Sequence, residues 1–152
     1  MNIKNLISRQ KDWEGFRADV YLCSQNVLTI GYGTTRINGV KVNQYTPSIT
    51  EEAAEVYLKA GLLDAMAVCD SIYREAWRYL EPEEQQVLVH MAYQLGNRLS
   101  KFVKMNKAVR TGNRIAWAYE MKNSLWYRQT PRPAEALRKM VLKADEQNVS
   151  SW

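Results

Sequence analysis

The sequence predicts an α+β chain, predominantly α, in which a small antiparallel β lobe is joined by a long helix to a larger helical lobe. Three observations predict it. Apolar residues recur at helical spacing up to residue 13. Between residues 15 and 48 the pattern changes to short alternating runs, broken at Ser24-Gln25-Asn26 and Asn38-Gly39. From Thr50 the helical period returns and persists. A chain of 152 residues, 46% hydrophobic and 24% charged, has the length and composition of one folded domain with a sizeable core.

Residues 2–13 form the first expected helix. Ile3, Leu6, Ile7 and Gln10 share a face, Asn2 is a suitable cap and Gly15 a suitable stop, which leaves Glu14 at the helix end. DVYLCS and VLTIGYGTT are rich in β-branched and aromatic residues and read as paired strands. In the second, Leu28, Ile30 and Tyr32 alternate with Val27, Thr29 and Gly31, so the apolar set is expected inward and Thr29 on the other, polar face. Gly31 and Gly33 weaken the strand but permit close approach by another chain or ligand. RINGVKVN adds a third short strand around Asn38-Gly39.

The helical lobe, residues 50–152, begins at Thr50-Glu51-Glu52, with acids in the first turn. Its long first helix is expected to run toward Tyr79 with Ala53, Val56, Tyr57, Ala60, Leu63 and Ala67 inward. Pro82 opens the next helix at its first position; Val87, Leu88, Met91 and Leu95 point inward and Gly96 ends it. Further helices are expected over 102–109, stopped by Gly112, over 116–125, and from Pro131 and Pro133 onward, the last burying Ala136, Leu137, Met140, Val141 and Ala144. A cleft between the lobes is the expected place for a substrate.

The net charge of +5 favours an acidic partner such as nucleic acid, an anionic membrane or a carboxylate-bearing wall polymer, and selects none of them. Cys23 and Cys69 fit no metal or CxxC spacing. A single disulfide is possible but not implied, and the chain reads as one made in a reducing cytosol. The one histidine, His90, lies in an expected core helix, which excludes a histidine metal cluster and disfavours a serine–histidine–aspartate triad. No metal or cofactor is expected. MNIKNLISRQKDWEG lacks the continuous apolar stretch of a secretory signal, and no window approaches the ~18 apolar residues of a membrane span. A target outside the cytoplasm would need another agent to open the way.

Glu14 stands between Trp13 and Phe16 where helix meets sheet. Partial desolvation raises a carboxyl pKa, and a glutamic acid able to donate a proton near neutral pH is what glycosidic cleavage requires. The plain alternative is a helix-terminal surface ion pair with Arg17 or Lys11. Cys23 ends the first strand. A free thiol is a poor general base near pH 7 unless its surroundings favour the thiolate, so Cys23 reads equally as a small strand residue. Thr29 could hold a water through its hydroxyl, or be an ordinary strand threonine.

Taken together, Glu14-x8-Cys23-x5-Thr29, the TIGYG strand, MAYQLG at 91–96 and WYRQTP at 126–131 occur in an order that resembles the phage-type lysozymes of glycoside hydrolase family 24, the family of the T-even coliphage lysozyme. The resemblance covers nearly the whole chain. It implies a lysozyme-like fold, a single catalytic domain over residues 1–152, and endo-hydrolysis of the β-1,4 bond between N-acetylmuramic acid and N-acetylglucosamine in peptidoglycan. Glu14 would be the general acid. Thr29 would hold the attacking water, and Cys23 would occupy a position often held by aspartate. Tyr32, Thr35, Tyr93 and Gln94 would line the cleft. Inversion at the anomeric carbon is implied, with Cys23 as covalent nucleophile the remoter route. The resemblance further implies a monomeric endolysin, made in the host cytoplasm and admitted to the periplasmic wall once a holin permeabilises the inner membrane.

Two departures stand out. Cys23 gives less electrostatic support than a carboxylate, and Pro133 falls where an arginine is common. Arg128, Arg132, Arg138, Lys139 and Lys143 form a basic strip around the last helix, either a solvated face or a dock for an anionic membrane or lipopolysaccharide. The rival to an enzyme is a non-catalytic basic binder of wall, membrane or nucleic acid on the same scaffold. A nucleic-acid module would need exposed aromatics among its cations, whereas Trp77, Trp117 and Trp126 fall among apolar residues, so no nucleic acid is expected.

Overall fold

The computed structural model describes residues 1–150, with side chains through Gln147. In chain order the elements are α1 (Ile3–Glu14), β1 (Arg17–Leu22), β2 (Leu28–Gly31), β3 (Arg36–Ile37), β4 (Val40–Lys41), α2 (Glu51–Tyr73), α3 (Glu75–Tyr79), α4 (Pro82–Leu95), a 3-10 helix (Gly96–Lys101), α5 (Val103–Thr111), α6 (Arg114–Lys122), α7 (Leu125–Gln129) and α8 (Pro131–Ser150). The fold is α+β and mostly helical, as the sequence predicts. Two compact units are present, residues 2–64 and the residues from Ala65 on, and the division falls inside α2.

In the first unit the Asn2 side chain accepts hydrogen bonds from the backbone N–H groups of Lys4 and Asn5, and Gly15 closes α1 at φ 66°, a left-handed value that glycine adopts without strain. α1 buries Leu6 and Gln10. β1 and β2 pair antiparallel, with Tyr21 opposite Thr29 and Leu22 opposite Leu28, and the register shifts between Arg17 and Tyr21. The single sheet expected over this region is instead two two-stranded sheets, β1-β2 and β3-β4. The cause is local: Ile30 and Thr34 exchange both backbone hydrogen bonds at 2.9 Å, so the chain turns on itself just after β2. β3 and β4 then pair only with each other, around Asn38 (φ 52°) and Gly39 (φ 79°), the two positive values that a tight hairpin turn demands.

The long helix is shorter and differently phased than expected. It ends at Tyr73, because Arg74 takes φ 53°, and α3 follows separately. Its buried row is Ala54, Leu58, Leu62, Ala65, Cys69 and Tyr73, not the row through Val56 and Leu63, which are 64% and 49% exposed. Apolar residues occupy most of its circumference, so periodicity alone could not choose between two adjacent rows. The larger side chains at 58, 62 and 73 lie on the row that is buried.

In the second unit α4 is the centre, with Val87, Leu88, Val89, Met91 and Ala92 all buried. Pro82 opens it, Glu81 and Glu84 form a reciprocal capping box, and Gly96 closes it at φ 57°. Glu84 also receives two hydrogen bonds from Arg114, at 3.0 and 3.1 Å. The single helix expected over 116–125 is two helices: α6 ends at Lys122, and the Ser124 side chain caps α7 by accepting from Tyr127 N–H. α8 buries Ala134, Leu137, Val141 and Ala144, leaving Ala136 and Met140 half-buried. Trp117 and Trp126 are core residues, and Trp77 stacks on Tyr73. No helix among the described residues is long and apolar enough to cross a membrane.

Truncation should expose the difference between the two rows of α2. Leu58→Ala, at a fully buried position, should cost about 2–5 kcal/mol in urea unfolding, whereas Val56→Ala should stay within about 0.5 kcal/mol. Equal losses would place the wrong row in the core.

Candidate functional site

The first unit gathers its polar chemistry at the C-terminal end of α1. Glu14 is the last residue of that helix, half-buried. One turn earlier, the wholly buried Gln10 donates from Nε2 to Glu14 Oε1 at 3.0 Å. On another side lies Gly33, at φ 81°. A Cβ built there would stand 2.9 Å from Glu14 Cδ and 3.1 Å from each carboxylate oxygen. Any side chain at 33 would therefore displace the carboxyl as well as strain the backbone. The second glycine of TIGYG is thus the wall against which Glu14 rests.

Burial pushes the Glu14 carboxyl above the ordinary glutamate range, and the Gln10 hydrogen bond opposes that by favouring the ionised form. The helix itself adds to the upward push. A carboxylate in the last turn faces the negative end of the helix dipole. No cation is hydrogen-bonded to Glu14 in the described contacts; Lys11, an expected partner, instead pairs with Glu55, and the Arg17 guanidinium lies 4.3 Å over the Tyr21 ring.

The β1-β2 ladder supplies the rest. Tyr21 faces Thr29 directly, and Cys23 follows Tyr21 by two residues, so the three side chains share one face. Thr29 is only 2% exposed, a buried position where open polar surface was expected, and its Oγ1 donates to Val27 O at 2.8 Å. That bond commits the hydroxyl proton and leaves the oxygen as an acceptor, which fixes how it can hold a water: the water must donate to it. Cys23 is half-buried with a free thiol, and its Sγ accepts from Gln25 N–H at 3.4 Å. The second cysteine, Cys69, is also free, and burial pushes its thiol up to about 12, which keeps it inert.

Tyr21 is the residue that sequence reading passed over. Its phenol is pushed up to about 12, first by burial and then by the negative charges of Glu14 and Cys23, with Arg17 opposing. It therefore stays a protonated donor, in electrostatic reach of both groups. The available signal was its place in the first strand, two residues before Cys23.

Tyr32 is 4% exposed and acts as a pillar: its hydroxyl donates to Glu51 at 2.7 Å, its ring tilts against Phe16, and the Lys11 ammonium lies 5.5 Å above it. Thr35 is exposed, with its carbonyl accepting from Val42 N–H. Tyr93 and Gln94 belong to the second unit, half-buried near the end of α4. There Trp126 Nε1 donates to Gln94 Oε1 at 2.6 Å, so WYRQTP holds the amide of MAYQLG with its NH2 turned away from the indole. The described residues contain no cluster of three or more His, Cys, Asp or Glu able to hold a metal.

The family model for phage lysozyme matches residues 11–140, a span that includes Glu14, Cys23, Thr29, the TIGYG strand and both motifs of the second unit. No individual curated protein matches significantly. With 130 consecutive positions matched, the chain belongs to the phage lysozyme family, and through it to the enzymes that hydrolyse peptidoglycan.

Proposed function

We propose that the protein is an endolysin that cuts the β-1,4 bond between N-acetylmuramic acid and N-acetylglucosamine, with Glu14 as general acid. The observation that carries this reading is the environment of Glu14: a desolvated carboxyl, held by a neutral amide and a bare glycine backbone. Such a group holds its proton to higher pH than an ordinary glutamate and can pass it to the glycosidic oxygen as the C–O bond breaks. Gln10 is bonded to Oε1, so Oε2 is the oxygen left to carry and deliver the proton.

The second half of the reaction needs a water on the opposite face of the sugar. Thr29 orients it by accepting a hydrogen bond from it, and the Cys23 sulfur, on the same face of the ladder, offers a second, weaker acceptor; the proton released on attack passes to solvent. Tyr21 keeps its proton and steadies negative charge at both groups. Thr35, Tyr93 and Gln94 are proposed as glycan contacts, and Tyr32 as a buried support within the first unit. No step requires a metal or cofactor. We infer a monomer that reaches the wall through a holin lesion. A non-catalytic binder has less support, because binding alone gives no reason to desolvate Glu14.

Glu14→Gln keeps the shape and the Gln10 contact but has no proton to give. It should lower the clearing rate of purified peptidoglycan by about 10²–10⁴-fold, while Cys23→Ser, which retains a weak acceptor, should lower it by about tenfold. Lysis at wild-type rate by Glu14→Gln would end the catalytic reading.

Gln10→Leu tests how the acid is tuned. The lost hydrogen bond favoured the carboxylate, so without it Glu14 holds its proton to higher pH and the alkaline limb of kcat/KM should move up. An unmoved limb would show that Gln10 only packs. Proton NMR of the first anomer released should show inversion, as attack by water on the far face requires; retention would shift the role of Cys23 to covalent nucleophile.

A further inference from the structure

The net charge of +5 is not spread over the molecule. Six of its 21 cations, Arg98, Lys101, Lys104, Lys107, Arg110 and Arg114, fall between Gly96 and Tyr119, a stretch with none of its 16 acids; the rest of the chain carries 15 cations against 16 acids. The strip expected on the last helix does not account for the charge. α8 holds four cations and three acids, and Arg138 is tied to Glu135 by hydrogen bonds of 2.6 and 2.9 Å.

The five cations from Arg98 to Arg110 are spaced by three, along the 3-10 helix and α5. Lys101, Lys104, Lys107 and Arg110 are all exposed, and none is in an ion pair among the described residues. Like charges held this close repel one another. Among the described residues no ion pair to these four offsets that cost, which suits a surface that meets an external anion.

The same stretch borders a hollow of about 540 Å³, within the second unit. Its lining includes Ser71, Asn97, Ser100, Val103, Asn106 and Arg110. Asn106 is fixed from within, accepting from Tyr73 Oη at 2.6 Å and donating to Leu99 O at 2.9 Å. Arg110 spends one Nη2–H on Ile72 O at 2.8 Å and rests its guanidinium 5.7 Å from the Tyr73 ring centroid, so its head is held in place at the edge of the hollow. Lys107 follows Val103 by four residues and shares its face of α5. Among residues adjoining the lining in sequence, the one acid is Asp70.

Hydroxyls, carboxamides and an anchored guanidinium in a concave site, with lysines at the border, suit a ligand that is both hydroxyl-rich and anionic. We propose that this hollow is a second binding site, for a saccharide bearing carboxylate or phosphate groups, separate in composition from the residues around Glu14. Both kinds occur on envelope polymers, and the guanidinium fork accepts either. A lipid surface fits less well, because the lining is mostly polar and offers one exposed aliphatic residue, Val103, for insertion. The site does not depend on Glu14 being the acid, and its test leaves catalysis aside.

The test uses the full chain as Glu14→Gln, so that no ligand is cleaved, followed by amide-resolved NMR titration. Three soluble probes are compared: a muropeptide, a deacylated glucosamine disaccharide phosphate, and neutral chitotetraose. The expected result is salt-sensitive movement of the amides of Ser71, Asn97, Ser100 and Arg110 with one or both acidic probes and none with the neutral one; which acidic probe acts identifies the anion. Lys104→Glu with Lys107→Glu should weaken that binding by about tenfold or more. Asp70→Asn should strengthen it, and Lys122→Glu, outside the stretch, should leave it unchanged. Equal shifts with chitotetraose, or no shifts with any probe, would overturn the proposal. So would anionic phosphatidylglycerol vesicles that retain the chain through Lys104 and Lys107 while the sugars leave these amides unmoved.

Discussion

A polypeptide segment can lie across a carboxyl group only where it presents no side chain. The contact between Gly33 and Glu14 is of that kind, and much of the first unit is arranged around it. The left-handed turn at Gly33 brings the chain past the end of α1, and the Ile30–Thr34 bridge holds the turn closed. Gly31, also at positive φ, brings the same segment onto α2, where an added Cβ would meet Ala54 and Ile49 at 3.1 Å. One short run, TIGYG, is thereby pressed against two helices. It can do so because two of its five residues have no side chain and because Tyr32, between them, is anchored by Glu51.

This arrangement explains why the first unit was readable as a pattern but not as a geometry. The glycines in TIGYG announced a close approach, and the structure supplies the partner. The cap at Asn2, the stop at Gly15 and the turn at Asn38-Gly39 were legible because each depends on local backbone chemistry within four residues. The phase of α2 was not. Apolar side chains cover two adjacent rows of that helix, and which row is buried is decided by what packs on it. The break at Arg74 was equally hidden, since a positive φ at arginine is imposed by its surroundings and has no signature in composition. Thr29 shows both sides of the matter. Its place in the strand was read from alternation, but its burial and the commitment of its proton to Val27 depend on the ladder.

Tyr21 follows from the same limit. Alternation along β1 places it with Cys23, and antiparallel pairing places it opposite Thr29. The second fact cannot be obtained without the register, which shifts between Arg17 and Tyr21. A one-residue error there would have sent Tyr21 to the other face of the sheet. The register shift therefore bears directly on the proposed roles of Tyr21 and Cys23. It sets which side chains of β1 stand with Thr29 and which stand away.

Burial alone does not make a carboxyl group an acid catalyst, and three glutamates of this chain show why. Glu84 is 3% exposed and meets Arg114 through two hydrogen bonds, so its charge is answered by a cation. Glu135 is bound by Arg138 and by the Tyr127 hydroxyl, and the cation together with the phenol takes its carboxyl down to about 2. Glu14 receives a neutral amide in place of a cation, and its carboxyl moves in the opposite direction. The decisive difference is the partner: a guanidinium stabilises only the carboxylate, whereas an amide donor orients the group and leaves desolvation to favour the protonated form. Replacing Gln10 by a cation would complete an ion pair and abolish the acid, and replacing it by an apolar residue would leave the group protonated but loosely aimed. A carboxamide one helical turn before the carboxyl avoids both, which makes Gln10 as specific to the proposed chemistry as Glu14 itself.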